Sequence, residues 1–220
     1  MERDTTVTDH DKIIRSDGKV SMDGAANAVS YDAWADDYDS ELVAWGYEAP
    51  TRAAALLATH LDGFATARVL DCGCGTGMTG AALRAEGCTG ALTGYDMSTA
   101  SLDVARDKGI YADLRQVDLN ATLPMAADAV DGVLCIGVLT YVEAGPLFRE
   151  WARVLRPGGV AVFTCRDDFW GSRGFEATLS ELEDDALIRR LETTGPMPYL
   201  PGNPEFADKV RVIYGVFQAR

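Results

Sequence analysis

The stretch Val69-Leu70-Asp71-Cys72-Gly73-Cys74-Gly75-Thr76-Gly77-Met78-Thr79-Gly80 sets a carboxylate two residues ahead of glycines at every second position. Glycine at that density suits neither a helix nor a strand, but it clears the backbone for close approach of a ligand. A phosphate-binding P-loop needs Lys followed by Ser or Thr. Here Gly77 is followed by Met78 and Thr79, so that reading fails. The dinucleotide pattern GxGxxG does occur, from Gly75 to Gly80. By itself it is a weak signal, and it would make the chain a NAD-linked oxidoreductase. Asp71 argues against that ligand, because a carboxylate at the strand end raises the cost of bringing a pyrophosphate to the turn. The turn asks instead for a neutral or cationic molecule rich in hydrogen-bond donors.

Further acidic residues fall at the ends of later apolar runs. Asp96 closes "LTGYD", followed by Met97, and Asp118 closes "LRQVD", followed by Leu119. Asp96 in isolation reads equally well as a cap beside Ser98, and Asp118 as a surface turn residue.

Regular elements must hold these groups in place. Tyr31, Trp34, Tyr38, Leu42 and Trp45 recur at steps of three and four, one face of a helix. Pro50 suits the first turn of a second helix. From residue 68 short apolar strands alternate with short helices: "ARVLDCG", "MTGAALRAEG" stopped by Gly87, "GALTGYD", "TASLDVARDKG" capped by Ser98, "LRQVDLN" and "AVDGVLCIG". "GPLFREWARVL" is a helix with an apolar stripe of Leu147, Trp151, Val154 and Leu155, and "VAVFTCR" is a fifth strand. Ser180 with Glu183 reads as a capping box opening a helix through "ELEDDALIRRLETTG", and "KVRVIYGVFQA" as a long final strand. Such alternation predicts an α/β fold, a parallel sheet covered by helices on both faces, binding its ligand at the carboxyl ends of the strands.

S-adenosylmethionine (SAM) meets the demand of the turn, since it carries an ammonium, a sulfonium, a carboxylate and a ribose but no phosphate. The run Val69-Leu70-Asp71-x-Gly73-x-Gly75-x-Gly77 resembles the first motif of the class I SAM-dependent methyltransferases. The resemblance covers residues 30–220. It is nearest to small soluble methyltransferases of the Williams–Beuren-region methyltransferase-like type, which begin Tyr-Asp-x-Trp-Ala-x-x-Tyr-Asp, here Tyr31 to Asp39. It implies a Rossmann-like, mostly parallel seven-stranded sheet with its last strand antiparallel. It also implies SAM as cofactor and S-adenosylhomocysteine as product. Gly73, Cys74, Gly75 and Gly77 would pass against the methionine part, with Asp71 holding its ammonium. Asp96 would accept from the ribose hydroxyls, Met97 and Leu119 would flank the adenine, and Asp118 would take its amino group. Ile136 and Gly137 would lie near the sulfonium. Tyr31, Trp34 and Tyr38 are either a helix face packed on the core or part of a lid over the cofactor.

The acceptor side is less defined. His10 and His60 are the two histidines, and neither falls at a strand end. After the fourth strand the chain offers Tyr141 to position substrate and Glu143 as a weak base, or both simply end a strand. Arg166 and Trp170, after the fifth strand, are expected to face the substrate, with an ion pair to Asp167 or Asp168 as the other use of Arg166. An acceptor needing little help from a base, a thiol or an amine, fits this inventory, and a phenol or carboxylate oxygen stays open. A fold that binds SAM without transferring its methyl, as a sensor or a partner subunit, is the other reading.

The remaining composition narrows the class. Twenty Lys and Arg against 34 Asp and Glu give a net charge of −14, which repels a nucleic-acid backbone. No apolar run reaches the roughly 20 residues of a membrane helix. Five cysteines give no disulfide framework, and Cys72-x-Cys74 is too close for common zinc spacing, so no metal is expected. Residues 1–25 read as a flexible leader. Residues 26–220 read as one cytoplasmic domain with lid helices over 26–62, working as a monomer or homodimer on a small molecule.

Overall fold

A computed structural model describes residues 24–220. The expected leader lies outside these residues, as does His10, except that residues 24 and 25 already begin the first helix. That helix, α1 (Gly24–Ala44), is followed by α2 (Ala49–His60), with Pro50 in its first turn, and by a short 3-10 turn, Phe64–Thr66.

The alternating region then runs β1 (Val69–Cys72), α3 (Met78–Ala85), β2 (Leu92–Asp96), α4 (Thr99–Asp107), β3 (Asp113–Gln116), β4 (Val130–Cys135), α5 (Ala144–Val154) and β5 (Leu155–Arg166). It closes with α6 (Asp167–Ser172), α7 (Phe175–Asp184), β6 (Ile188–Thr193), the two-residue β7 (Met197–Pro198) and β8 (Arg211–Ala219). The sheet order is β3-β2-β1-β4-β5-β8-β6, with β7 attached to β8. β1 to β5 run parallel, and β8 lies antiparallel between β5 and β6. This is the α/β sheet with an antiparallel last strand that the resemblance implies, with the two-residue β7 making eight strands where seven were expected. β1 pairs with β2 on one side and β4 on the other, so strand order reverses there and opens a crevice at the strand ends.

Every residue of β1 is buried, as expected of a parallel strand covered on both faces. On one face α5 contributes Leu147, Phe148, Trp151 and Val154 to an aromatic core with Phe163 and Phe217. The Phe148 ring lies 4.7 Å from Phe163 and 4.9 Å from Trp151. On the other face Ala53, Leu57 and Leu83 of α2 and α3 cover Val160, Val162 and Val216. Under α1, Trp34 and Leu42 pack on Leu200, Phe206 and Val210.

One expected element is corrected. The single helix through residues 181–195 is instead the end of α7, a reversal and the strand β6. Ser180 and Glu183 lie inside α7, whose N-cap is Gly174, so they form no capping box. Ala186 takes a left-handed φ of 57°, which turns the chain, and the Glu183 carboxylate accepts from the Arg190 amide at 2.8 Å and its Nε at 2.6 Å. Ile188 then pairs with Ala219 at the sheet edge.

Gly215 of β8 admits the Phe163 ring, whose Cζ would sit 2.2 Å from a Cβ placed there. Gly215→Ala is therefore expected to cost about 1–3 kcal/mol in chemical denaturation. Combined with Phe163→Leu, it should cost less than the sum of the two single changes.

Candidate functional site

The glycine turn leaves β1 and folds back over the end of β2. The amides of Gly73 and Cys74 both donate to the Tyr95 carbonyl, at 2.7 and 3.0 Å. Gly73, Gly75 and Gly77 all have positive φ, which other residues adopt at a penalty. A Cβ on Gly73 would also lie 2.1 Å from Val138. One on Gly75 would meet nothing within 4 Å, because that position faces open space. Cys74 is tucked beneath the turn, its Sγ 2.8 Å from where a Gly94 side chain would begin, and Gly77 packs on Tyr111 and Ala105 as the N-cap of α3.

Three carboxylates stand around this turn in different states. Asp71 is 1% exposed. Its Oδ2 accepts from the Tyr111 hydroxyl at 2.6 Å, whereas Oδ1 has no partner among the described residues. Burial pushes the Asp71 carboxyl up to about 7, against the opposing Tyr111 hydrogen bond and with a further push from Asp96. The native carboxyl thus holds its proton between about pH 4 and 7, where an unfolded one has lost it. The ligand-free fold loses stability from this group as pH rises through that window. Asp96 accepts from the Gly75 amide at 2.7 Å through Oδ2 and from the Ser98 amide at 2.9 Å through Oδ1. Burial raises its pKa, opposed by the backbone amides of Ser98, Gly75 and Met97. Each oxygen keeps acceptor capacity for one more donor. Asp118 is exposed at the rim and accepts through Oδ1 from the Asn120 amide and side chain, at 2.9 and 3.2 Å.

Asp96 and Asp118 border a cleft of about 800 Å³, counting its open mouth, whereas Asp71 lies behind the glycine turn and is not part of the lining. Gly73, Gly75 and Thr76 form its floor; Asp96, Met97, Asp118 and Leu119 one wall; and Ile136, Gly137, Val138, Tyr141 and Val142 the other. α1 closes it with Tyr31 and Tyr38. The Tyr31 hydroxyl donates to that of Tyr141 at 3.2 Å, across the cleft. Burial holds the hydroxyls of Tyr31, Tyr38 and Tyr141 above the ordinary phenol range, so they stay protonated. The Gly137 amide donates to Thr164 Oγ1 at 2.8 Å, and the hydroxyls of Tyr47 and Tyr199 lie within 3.2 Å of where a Gly137 side chain would begin.

Other sequence-derived candidates fall elsewhere. Trp34 is buried behind the two tyrosines, its ring 4.6 Å from Tyr38 and its Nε1 donating to Glu41 at 2.8 Å. Glu143 is the N-cap residue of α5 and lines an adjoining groove with Arg173 and Phe175, not the cleft itself. Arg166 takes the ion-pair alternative, donating to Asp168 through Nε and Nη2 at 3.0 and 2.8 Å. Trp170 stacks between Phe163 and Phe175, at 6.4 and 5.8 Å, as part of the aromatic core. His60 pairs with Glu192 at 2.9 Å, away from the cleft lining.

The sequence reading missed how α1 is fastened. Asp32 accepts from the Ser98 hydroxyl and, at 3.1 Å, from the Ala100 amide at the start of α4. Asp39 accepts from Thr76 of the glycine turn and pairs with Lys108. The repeated Tyr-Asp pair, seven residues apart, was the available signal, because that interval returns to one helix face. Tyr111, Asn120 and the apolar Val138 and Val142 carried no comparable local pattern.

The family model described as a methyltransferase domain matches residues 70–163. The chain is 35% identical over 162 residues to methyltransferase-like protein 27 of Homo sapiens, covering 71% of this chain and 66% of the human protein. It is 33% identical over 102 residues to the ubiquinone biosynthesis O-methyltransferase of Stutzerimonas stutzeri, covering 44% and 43%. The chain thus spans just under two thirds of the human relative's length and under half of the bacterial one's. In fold it is similar to the putative methyltransferase solved with the Haloferax volcanii Trm112 activator. That match has a TM-score of 0.65 at 20% identity and covers 86% of this chain and 95% of that one. Among the described residues, no helix is long and apolar enough to cross a membrane.

Removing the fastenings of α1 should loosen it selectively. Asp32→Ala and Asp39→Ala are each expected to lower the local opening free energy of residues 31–44 by about 1–3 kcal/mol. Amide hydrogen exchange should show this while β1 and β4 keep their protection.

Proposed function

We propose that the chain is a class I SAM-dependent methyltransferase, which holds SAM in this cleft and methylates a small-molecule acceptor. The observation that carries the reading is the buried, half-partnered Asp71 beside a turn free of side chains. A buried acceptor without a donor is costly, and an ammonium satisfies it better than a neutral group does. The residues present therefore fit the cofactor.

In this assignment Asp71 takes the ammonium, and Gly73 and Gly75 let the methionine part lie on bare backbone. Asp96 offers its remaining acceptor sites to the ribose hydroxyls. Met97 and Leu119 flank the adenine, with Asp118 at its edge, and Ile136 and Gly137 border the reacting end. Cys74, Gly77 and Trp34 act from behind, by shaping the turn and backing the aromatic face. SAM, when bound, supplies a methyl group on a cationic sulfonium, open to in-line displacement by a nucleophile. The chain's own part is to exclude water and fix the line of attack. Tyr31, Tyr38 and Tyr141 do so as neutral walls, and α1 serves as the lid.

Tyr141, held protonated, positions the acceptor and does not take its proton. Glu143 is assigned no role as a base, because it lines the other groove. An acceptor that is already nucleophilic at neutral pH suits this cleft best: a thiol, an amine or an ionised oxygen. The bacterial relative's name, an O-methyltransferase of ubiquinone biosynthesis, supports a small acceptor.

Two measurements test the proposal. Asp96→Ala should weaken SAM binding about tenfold or more by calorimetry, and Gly75→Arg, which fills the open floor, should abolish it. Incubation with SAM and a panel of small thiols, amines, phenols and carboxylic acids should release S-adenosylhomocysteine with at least one class. Tight SAM binding with no release across the panel would favour a protein that binds SAM without transferring its methyl.

A further inference from the structure

Among the described residues, Asp71 accepts one hydrogen bond, from a residue that no motif announces. Tyr111 lies in the loop between α4 and β3, and two sets of contacts fix it there. Its backbone neighbours are clamped: Arg84 of α3 donates to the carbonyls of Ile110, Cys88 and Gly90 at 2.7–2.9 Å, and the Ala112 amide donates to the Leu92 carbonyl at 2.8 Å. Its ring occupies the space that side chains on Gly77 and Gly80 would need. A Cβ on Gly80 would lie 2.4 Å from the Tyr111 hydroxyl, and one on Gly77 3.1 Å from the ring. The last glycine of GxGxxG is thus a seat for a phenol.

The direction of the hydroxyl follows from its partners. The Gly80 amide donates to the Tyr111 oxygen at 3.1 Å, so the single hydroxyl hydrogen goes to Asp71 Oδ2. We infer that Tyr111 is a positioning residue for the ammonium end of the cofactor site, keeping the Asp71 carboxylate charged and leaving Oδ1 as the acceptor. This rests on the SAM reading of the cleft.

The groups around Asp71 explain why one hydrogen bond matters so much. From β2 comes Asp96, from β4 Cys135, from the turn Cys74, from its own strand Cys72, and from the α4–β3 loop Tyr111. None of these is a cation. Burial and Asp96 both disfavour the charged carboxylate, and Tyr111 alone among the described groups named here favours it. With these opposing effects Asp71 titrates near pH 7, inside the range where binding can be measured. Without the phenol hydrogen the carboxyl stays protonated to higher pH and presents a weaker partner to an ammonium.

The test compares two ligands on the whole chain by calorimetry between pH 5.5 and 8.5. S-adenosylhomocysteine carries the ammonium, and 5′-methylthioadenosine lacks it. In the unaltered protein, affinity for the first should rise through about pH 7 while affinity for the second stays flat. Tyr111→Phe should move the midpoint upward by about one pH unit and weaken S-adenosylhomocysteine binding roughly fivefold at pH 7, sparing methylthioadenosine. Asp71→Asn should flatten the profile and make Tyr111→Phe silent in the double variant. An unchanged profile in Tyr111→Phe overturns the inference. So does equal weakening of both ligands, which would mark Tyr111 as packing only. If the unaltered protein binds neither ligand, the cofactor reading itself fails.

Discussion

A carboxylate buried in the central strand of a sheet, with one of its oxygens lacking a donor, sets the terms for everything around it. Asp71 sits in β1, buried, with parallel neighbours on both sides. Charged and unpaired, such a group is expensive; protonated, it gives up its attraction for a cation. The fold meets this with one phenol and a turn stripped of side chains, and leaves the remaining demand to a ligand. On the proposed reading, that demand disfavours phosphate and favours a positive group, so ligand choice would follow from electrostatics as much as from shape.

The second constraint is closure. The sheet supplies a crevice where strand order reverses between β1 and β4, and the crevice by itself is open to water. α1 covers it, and α1 is held by acids: Asp32 at the start of α4, and Asp39 bridging Thr76 and Lys108. The same helix carries Tyr31 and Tyr38 into the cleft, with Trp34 behind them. Fastening and lining thus come from one helix with alternating duties around its circumference. The Asp39–Thr76 contact joins this cover directly to the glycine turn, so the turn and its cover are not independent parts.

How much of this was legible in the sequence depended on whether a feature was local. Buried parallel strands are continuous apolar runs, so β1, β2, β4 and β5 could be read, and the edge strand β3, Asp-Leu-Arg-Gln, followed from the alternation around it, along with Asp71, Asp96 and Asp118 at or just beyond strand ends. β6 could not, because an edge strand reading Ile-Arg-Arg-Leu-Glu-Thr and following acidic helical residues keeps enough charge to pass for more helix. Trp170 was read as facing substrate from its place after the fifth strand, whereas α6 turns its ring onto Phe163 and Phe175. Glu143, two residues from Tyr141, lines the adjoining groove instead of the cleft. Tyr111 was invisible: a lone aromatic in a loop, forty positions from the carboxylate that it serves.

The most direct test of the account is a crystal structure with S-adenosylhomocysteine grown above pH 8, where Asp71 is charged. The account predicts the ligand amine within hydrogen-bond distance of Asp71 Oδ1, directly or through one ordered water, with the Tyr111 hydroxyl still on Oδ2. An amine turned away from Asp71, with Oδ1 still unpartnered beside an occupied cleft, would contradict it.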